Sequence, residues 1–165
     1  MKMESLHDLY LAELSDLYSA EKQIVKALPK VIKKTSSPEL RQALEDHLAE
    51  TNGHVTRLEE IFEMHAESPK RTKCKGMEGV LAEGDEMVGQ DATPAVRDAA
   101  IISACQRVEH YEMAAYGAVR TYAEELGHGR AAAVLQETLD EENAANSKLT
   151  GIATSRVNIE ATRTA

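Results

Sequence analysis

A shift of 91 residues lays one half of this chain on the other. It maps Glu21 onto Glu112 and Glu50 onto Glu141, and it carries Leu44, Leu48, Asn52 and Leu58 onto Leu135, Leu139, Asn143 and Leu149. The turn Ser36-Ser37-Pro38 falls on Gly127-His128-Gly129. A repeat of this length, with a turn between two periodic arms, is one supersecondary unit written twice. Each unit is predicted to be a helical hairpin with one glutamate on each arm, 29 residues apart. Packed about a pseudo-twofold axis, the two hairpins bring the four glutamates to one level.

The arms have helical periodicity. The first opens after Ser5, with Asp8 as the partner of a weak capping box, and runs to about Lys34 on Leu14, Leu17, Tyr18, Glu21, Val25, Leu28 and Ile32. Ser37 and Pro38 start the second, which carries Leu40, Leu44, His47, Leu48, Thr51, Val55, Leu58 and Phe62 and ends before Pro69. Thr93-Pro94 repeats the signal for the third, on Ile101, Cys105, Val108, Glu112, Ala115, Tyr116, Val119 and Tyr122, closing at Gly127. The fourth runs from about Arg130 to the mid-150s on Leu135, Thr138, Leu139, Glu142, Ala145, Leu149 and Ile152.

Short turns within each hairpin and a long connection between them predict an all-α, ferritin-like antiparallel four-helix bundle with one long crossover. The crossover spans about 68–93 and carries a short helix, Met77 to Val88, broken at Gly84. Residues 156–165 are expected to fray. The whole chain, 1–165, reads as a single domain. Only 4 prolines, no Trp and 4% aromatics agree with long helices rather than sheet.

A formal charge of −9 disfavours a nucleic-acid partner. The segments are too polar to span a membrane and the first residues are too polar for a signal peptide, so the expected place is the cytoplasm. Cys74 and Cys105 form no paired motif and fit free thiols. Lys73, Lys75 and Arg71 around Cys74 would favour the thiolate, so Cys74 reads as an idle loop thiol or, alternatively, a redox sensor, while Cys105 falls on the apolar stripe as core filler.

Some acidic residues reach an apolar stripe by chance, or as solvated neighbours of it. Four at matching positions are harder to explain, because buried carboxylates without partners are costly and a pair of divalent cations compensates them. The expected metal ligands are therefore Glu21, Glu50, Glu112 and Glu141. Glu109 lies one turn before Glu112 on the same face and joins them, although its repeat partner is Tyr18. Glu142 competes with Glu141: the apolar register favours the former and the repeat the latter. His47, three before Glu50, and His54, four after it, return to the same face and are further candidates. The Glu-x-x-His motif of di-metal bundles is absent, since Gly53 and Ala144 occupy its positions. His7, His65, His110 and His128 read as surface residues. Tyr18, one turn from Glu21, is a candidate to hydrogen-bond a ligand carboxylate.

Ser19-Ala20-Glu21-Lys22-Gln23, His47-Leu48-Ala49-Glu50-Thr51, Met77-Glu78-Gly79, Val108-Glu109-His110-Tyr111-Glu112 and Leu139-Asp140-Glu141-Glu142 resemble the YciF-like bacterial stress-protein family, over nearly the whole chain. The resemblance implies a ferritin-like fold distantly related to rubrerythrins, a homodimer and a link to stress. Its rubrerythrin pattern implies metal ligation by Glu21, Glu50, Glu109, Glu112 and either Glu141 or Glu142. Two divalent ions, iron or manganese, would fill such a site, for oxidation of Fe(II), reduction of peroxide, or storage. With no four-cysteine module in the chain, peroxide reduction would draw on an external electron donor. The alternative is a structural or interaction stress protein that keeps the bundle without turnover.

Overall fold

A computed structural model describes residues 3–163, and among these every regular element is helical. The elements are α1 (Leu6–Lys34), α2 (Pro38–Met64), α3 (Lys75–Val88), α4 (Pro94–Glu125), α5 (Gly129–Ile152), a π-helical turn (Ala153–Val157) and α6 (Asn158–Thr162). None is long and apolar enough to cross a membrane.

The starts follow from local chemistry. Ser5 Oγ accepts from the Asp8 backbone N–H at 3.1 Å and donates to the Asp8 carboxylate at 2.7 Å. Ser37 caps α2 through the Leu40 N–H, with Pro38 in the first turn. Gly127, at φ 75°, takes the left-handed conformation that ends α4.

The four long helices contact one another in a ring, α1 on α2, α2 on α5, α5 on α4 and α4 on α1, while α3 lies on α4 and α1. The crossover is tied to α1: the Cys74 N–H donates to Ser19 Oγ at 2.9 Å and Gln23 Nε2 donates to the Cys74 carbonyl at 3.0 Å. At one end, Asp98 of α4 accepts the backbone N–H groups of Ser36 and Ser37, at 2.8 and 2.7 Å, and holds the α1–α2 turn.

Apolar side chains form two blocks. One holds Leu14, Leu17, Leu58, Phe62, Val119 and Leu135; the other holds Ile24, Leu28, Leu44, Met77, Ile101, Leu149 and Val157. A buried polar layer separates them.

Three expectations are corrected here. Gly84 does not break α3, because the absence of a side chain lets the helix approach Ala104, whose Cβ would stand 3.2 Å from an added one. The tail does not fray through 156–163; it continues as helix, with Val157 1% exposed in the second block. Residues 164 and 165 lie outside the described residues. Cys74 is not an open thiolate: it caps α3, fully buried, and burial with Asp16 nearby pushes its thiol up. Cys105 is buried as expected, and burial raises it to about 12.

Candidate metal centre

The polar layer is built by four helices. Glu21 comes from α1, His47 and His54 from α2, Glu109 and Glu112 from α4, and Glu142 from α5; none is more than 7% exposed. Helical spacing explains the pairs: His47 and His54 are two turns apart and Glu109 and Glu112 one turn, so each pair shares a face.

The donors fall into two groups that share a member. His47, Glu109, Glu112 and Glu142 offer ligand atoms within 4.8 Å of one another, and so do Glu21, His54 and Glu142. Within them, His47 Nε2 stands 3.3 Å from Glu109 Oε1, and His54 Nδ1 stands 3.0 Å from Glu142 Oε1 and 3.5 Å from Glu21 Oε1. Glu142 thus sits between the groups, where a carboxylate can bridge.

Protein hydrogen bonds leave this layer unsatisfied. Both oxygens of Glu112 and one each of Glu142, Glu21 and Glu109 are buried without a hydrogen-bond partner, and Glu142 Oε1 has its 3.0 Å contact with His54 Nδ1. Buried polar atoms are normally paired, so five carboxylate oxygens left over in one layer need another partner. The charge count agrees: four carboxylates balance two divalent cations. Two ions fit the residues present.

Without cations, protons take up part of the charge. Burial, then the nearby Glu142, pushes Glu109 up to about 11, and burial with the charges of Glu21 and Glu142 pushes Glu112 well above the ordinary carboxylate range. Burial alone would lower His54, but the carboxylates of Glu142 and Glu21 outweigh it and hold the ring at about 10. Glu142 is held low against its burial by the same His54 contact.

The repeat pair takes a different position from the one expected. Glu50 and Glu141, with side chains 47% and 34% exposed, stand outside both donor groups and behind the two histidines. Glu50 Oε2 is 3.7 Å from His47 Nδ1, and Glu141 Oε2 is 2.8 Å from His54 Nε2. Arg57 grips Glu141 with two bonds of 2.6 and 2.8 Å and holds its carboxyl down to about 2. Glu142 faces inward because it is one position, about 100°, further round α5 than Glu141.

Two participants were missed in the sequence. Tyr116, fully buried, donates a short hydrogen bond to Glu21 Oε1; its place four residues after Glu112 was the available signal. Arg57, three after His54, was the other. Tyr18 instead donates to Glu59 at 2.7 Å on the surface.

A cavity of about 360 Å³ between α1, α3 and α4, lined mainly by Ile24, Leu28, Val31, Leu81, Val88 and Val108, reaches His47 and Glu109.

The family model described as a domain of unknown function (DUF892) matches residues 5–162. The chain belongs to the DUF892 family. Protein YciF of Escherichia coli strain K12 is 45% identical over 162 residues, 98% of each chain. The crystal structure of that stress protein superposes with a TM-score of 0.91, covering 94% of this chain and 99% of that one. YcfI of Rhodopseudomonas palustris, described as a candidate structural protein, is 42% identical with a TM-score of 0.88, over 90% of this chain and 95% of its own. A Xanthomonas campestris protein at 18% identity and TM-score 0.76 shares the fold, over 96% of this chain and 98% of its own. This DUF892 chain is therefore all-α with the architecture of YciF and a homologue of that stress protein.

Proposed function

We propose that this chain is a ferritin-like four-helix bundle that holds a dinuclear metal centre, and that it serves in the stress response through that centre. The observation that carries the reading is Glu142, a buried carboxylate shared by a three-donor and a four-donor group, with Oε2 lacking a hydrogen-bond partner and Oε1 in contact with the candidate ligand His54. Glu109, Glu112 and His47 would hold one ion, Glu21 and His54 the other, with Glu142 between them. Glu141 and Glu50 would orient the histidines rather than bind metal. Carboxylate-rich donors with two imidazoles suit iron or manganese. Two such ions supply redox chemistry toward peroxide or Fe(II).

The chain's own contributions are more specific. Tyr116 fixes the orientation of Glu21 through its hydroxyl. Two apolar blocks exclude water from above and below the layer. The apolar cavity admits small uncharged reactants toward His47 and Glu109. We further propose a homodimer in the cytoplasm, served by an external electron donor.

The test is anaerobic reconstitution with Fe(II) or Mn(II), followed by metal analysis and optical spectra before and after peroxide. Two ions per chain and a peroxide-dependent spectral change are expected. Fewer than one ion after loading with either metal rejects the centre. Two ions with a spectrum indifferent to peroxide favour a second reading, a structural stress protein without turnover, which the description of YcfI supports.

A further inference from the structure

We propose that His7, His65 and His128 form a second, mononuclear metal site, for a nitrogen-seeking ion such as Zn(II), Ni(II) or Cu(II). The three residues come from separate places in the chain: the first turn of α1, the C-cap of α2 and the N-cap of α5. They meet at the end of the molecule opposite Asp98. Their ring centres are 6.2 Å apart for His7 and His65, 6.0 Å for His7 and His128, and 4.4 Å for His65 and His128.

Those spacings are within a small side-chain movement of what a shared ion needs. A tetrahedral Zn(II) lies about 2.0–2.1 Å from a ligating ring nitrogen, hence roughly 3.2 Å from the ring centre, which sets two ligating rings about 5 Å apart. The His65–His128 spacing is about half an ångström shorter than that figure and the two spacings to His7 are about one ångström longer, so an ion requires the His7 side chain to move inward by about an ångström through χ1 as well as turn about χ2. Burial and the charges of His128 and His7 lower His65, which favours the neutral imidazole that ligates a metal.

The surroundings support ligation. Nε2 of His128 is buried with no hydrogen-bond partner. Tyr10, fully buried beneath the rings, has its hydroxyl 3.2 Å from Nε2 of His65. When an ion takes Nδ1 of His65, Nε2 carries the proton and that hydroxyl is placed to accept its hydrogen bond, the usual task of an outer-sphere partner. All three histidines are half-buried, so water or an exogenous ligand can complete the coordination. With no carboxylate among its donors, the site differs in preference from the glutamate-rich layer and favours ions later in the first-row series.

The test is a Zn(II) titration of the full chain against a chromophoric chelator, alongside NMR of the imidazole signals. The wild-type protein should bind one more Zn(II) than a His65→Gln/His128→Gln double variant, and the His7, His65 and His128 ring signals should shift together. Loading of the central layer with Mn(II) should be unchanged in the double variant, and Glu112→Gln should keep the extra Zn(II), which separates this site from the central one. If the double variant is unfolded by circular dichroism, His7→Gln, in the first turn of α1, should lower affinity for that Zn(II) at least tenfold. Equal Zn(II) stoichiometry in the wild type and the folded double variant, or unchanged affinity in His7→Gln, overturns the proposal.

Discussion

Glu141 and Glu142, adjacent in sequence, address opposite nitrogens of the same imidazole: Glu141 stands 2.8 Å from Nε2 of His54 and Glu142 3.0 Å from its Nδ1. One turns toward Arg57 and solvent, the other into the buried layer. In the proposed centre the pair would divide the roles of orienting a ligand and being one, and mutagenesis can separate them.

Glu141→Gln weakens the charge behind His54 without touching the buried donors. Metal affinity is expected to fall about 10–100-fold while two ions still bind at saturation. Competition with a calibrated chelator measures it. Glu50→Gln, at the longer 3.7 Å contact, should have a smaller effect.

Glu112→Gln should behave in the opposite way. Burial and the charges of Glu21 and Glu142 push the Glu112 carboxyl well above its ordinary range, so the metal-free fold favours the neutral form that glutamine resembles, and metal-free stability is expected to be kept or raised. Most of the metal-induced gain in stability should vanish; for the wild type that gain is about 2.7 kcal/mol at a hundred times the dissociation constant. Thermal melts with and without Mn(II) decide this, and a wild-type melt indifferent to saturating metal would count against the centre.

The metal-free protein should lose stability as pH rises. Glu109, at about 11 in the fold, keeps a proton that the unfolded chain releases near pH 4.5, so the folded state binds more protons across that window. His54, at about 10 against 6.5 unfolded, adds a contribution that is complete below pH 6.5 and gone above about pH 10. Both slopes have the same sign. On the acid side Glu141 acts the other way: its contribution, present above pH 4.5, disappears as pH falls through about 2. Urea melts of metal-free protein from pH 5 to 10 should show the decline, and metal binding at pH 7 should release protons, measurable by calorimetry in buffers of different ionisation enthalpy.

Gly76→Ala tests the crossover. A Cβ at Gly76 would stand 2.5 Å from the Tyr111 hydroxyl, which lies 3.2 Å from Cys74 Sγ. Displacing that ring should cost about 1–3 kcal/mol in denaturant melts. It should also speed the reaction of Cys74 with a disulfide reagent.

The helices were legible because their apolar periods and their Ser-Pro and Thr-Pro starts are local signals. The level of the polar layer was legible too, since the repeat aligns Glu21 with Glu112, and both lie in it. The repeat does not carry Glu50 and Glu141 into the layer, because a duplicated hairpin copies position along a helix while the face that meets the layer is set by how the helices pack; Arg57 of α2 holds Glu141 outside the donor groups. Sequence also fell short at Cys74, whose basic neighbours suggested a thiolate before Met77 and Tyr111 buried it. His7, His65 and His128 looked like surface residues because no spacing rule joins a first turn, a C-cap and a loop; only the tertiary fold brings those ends together.

The division of the interior into two apolar blocks bears on cooperativity. Four rods run through both blocks, but side-chain packing is continuous only within each, and the layer between them changes its character with its charge. A neutralised layer couples the blocks, so the molecule should melt as one unit. An ionised, cation-free layer uncouples them, and amide exchange should then register two separate opening free energies along each helix, changing at Glu21, His54, Glu112 and Glu142.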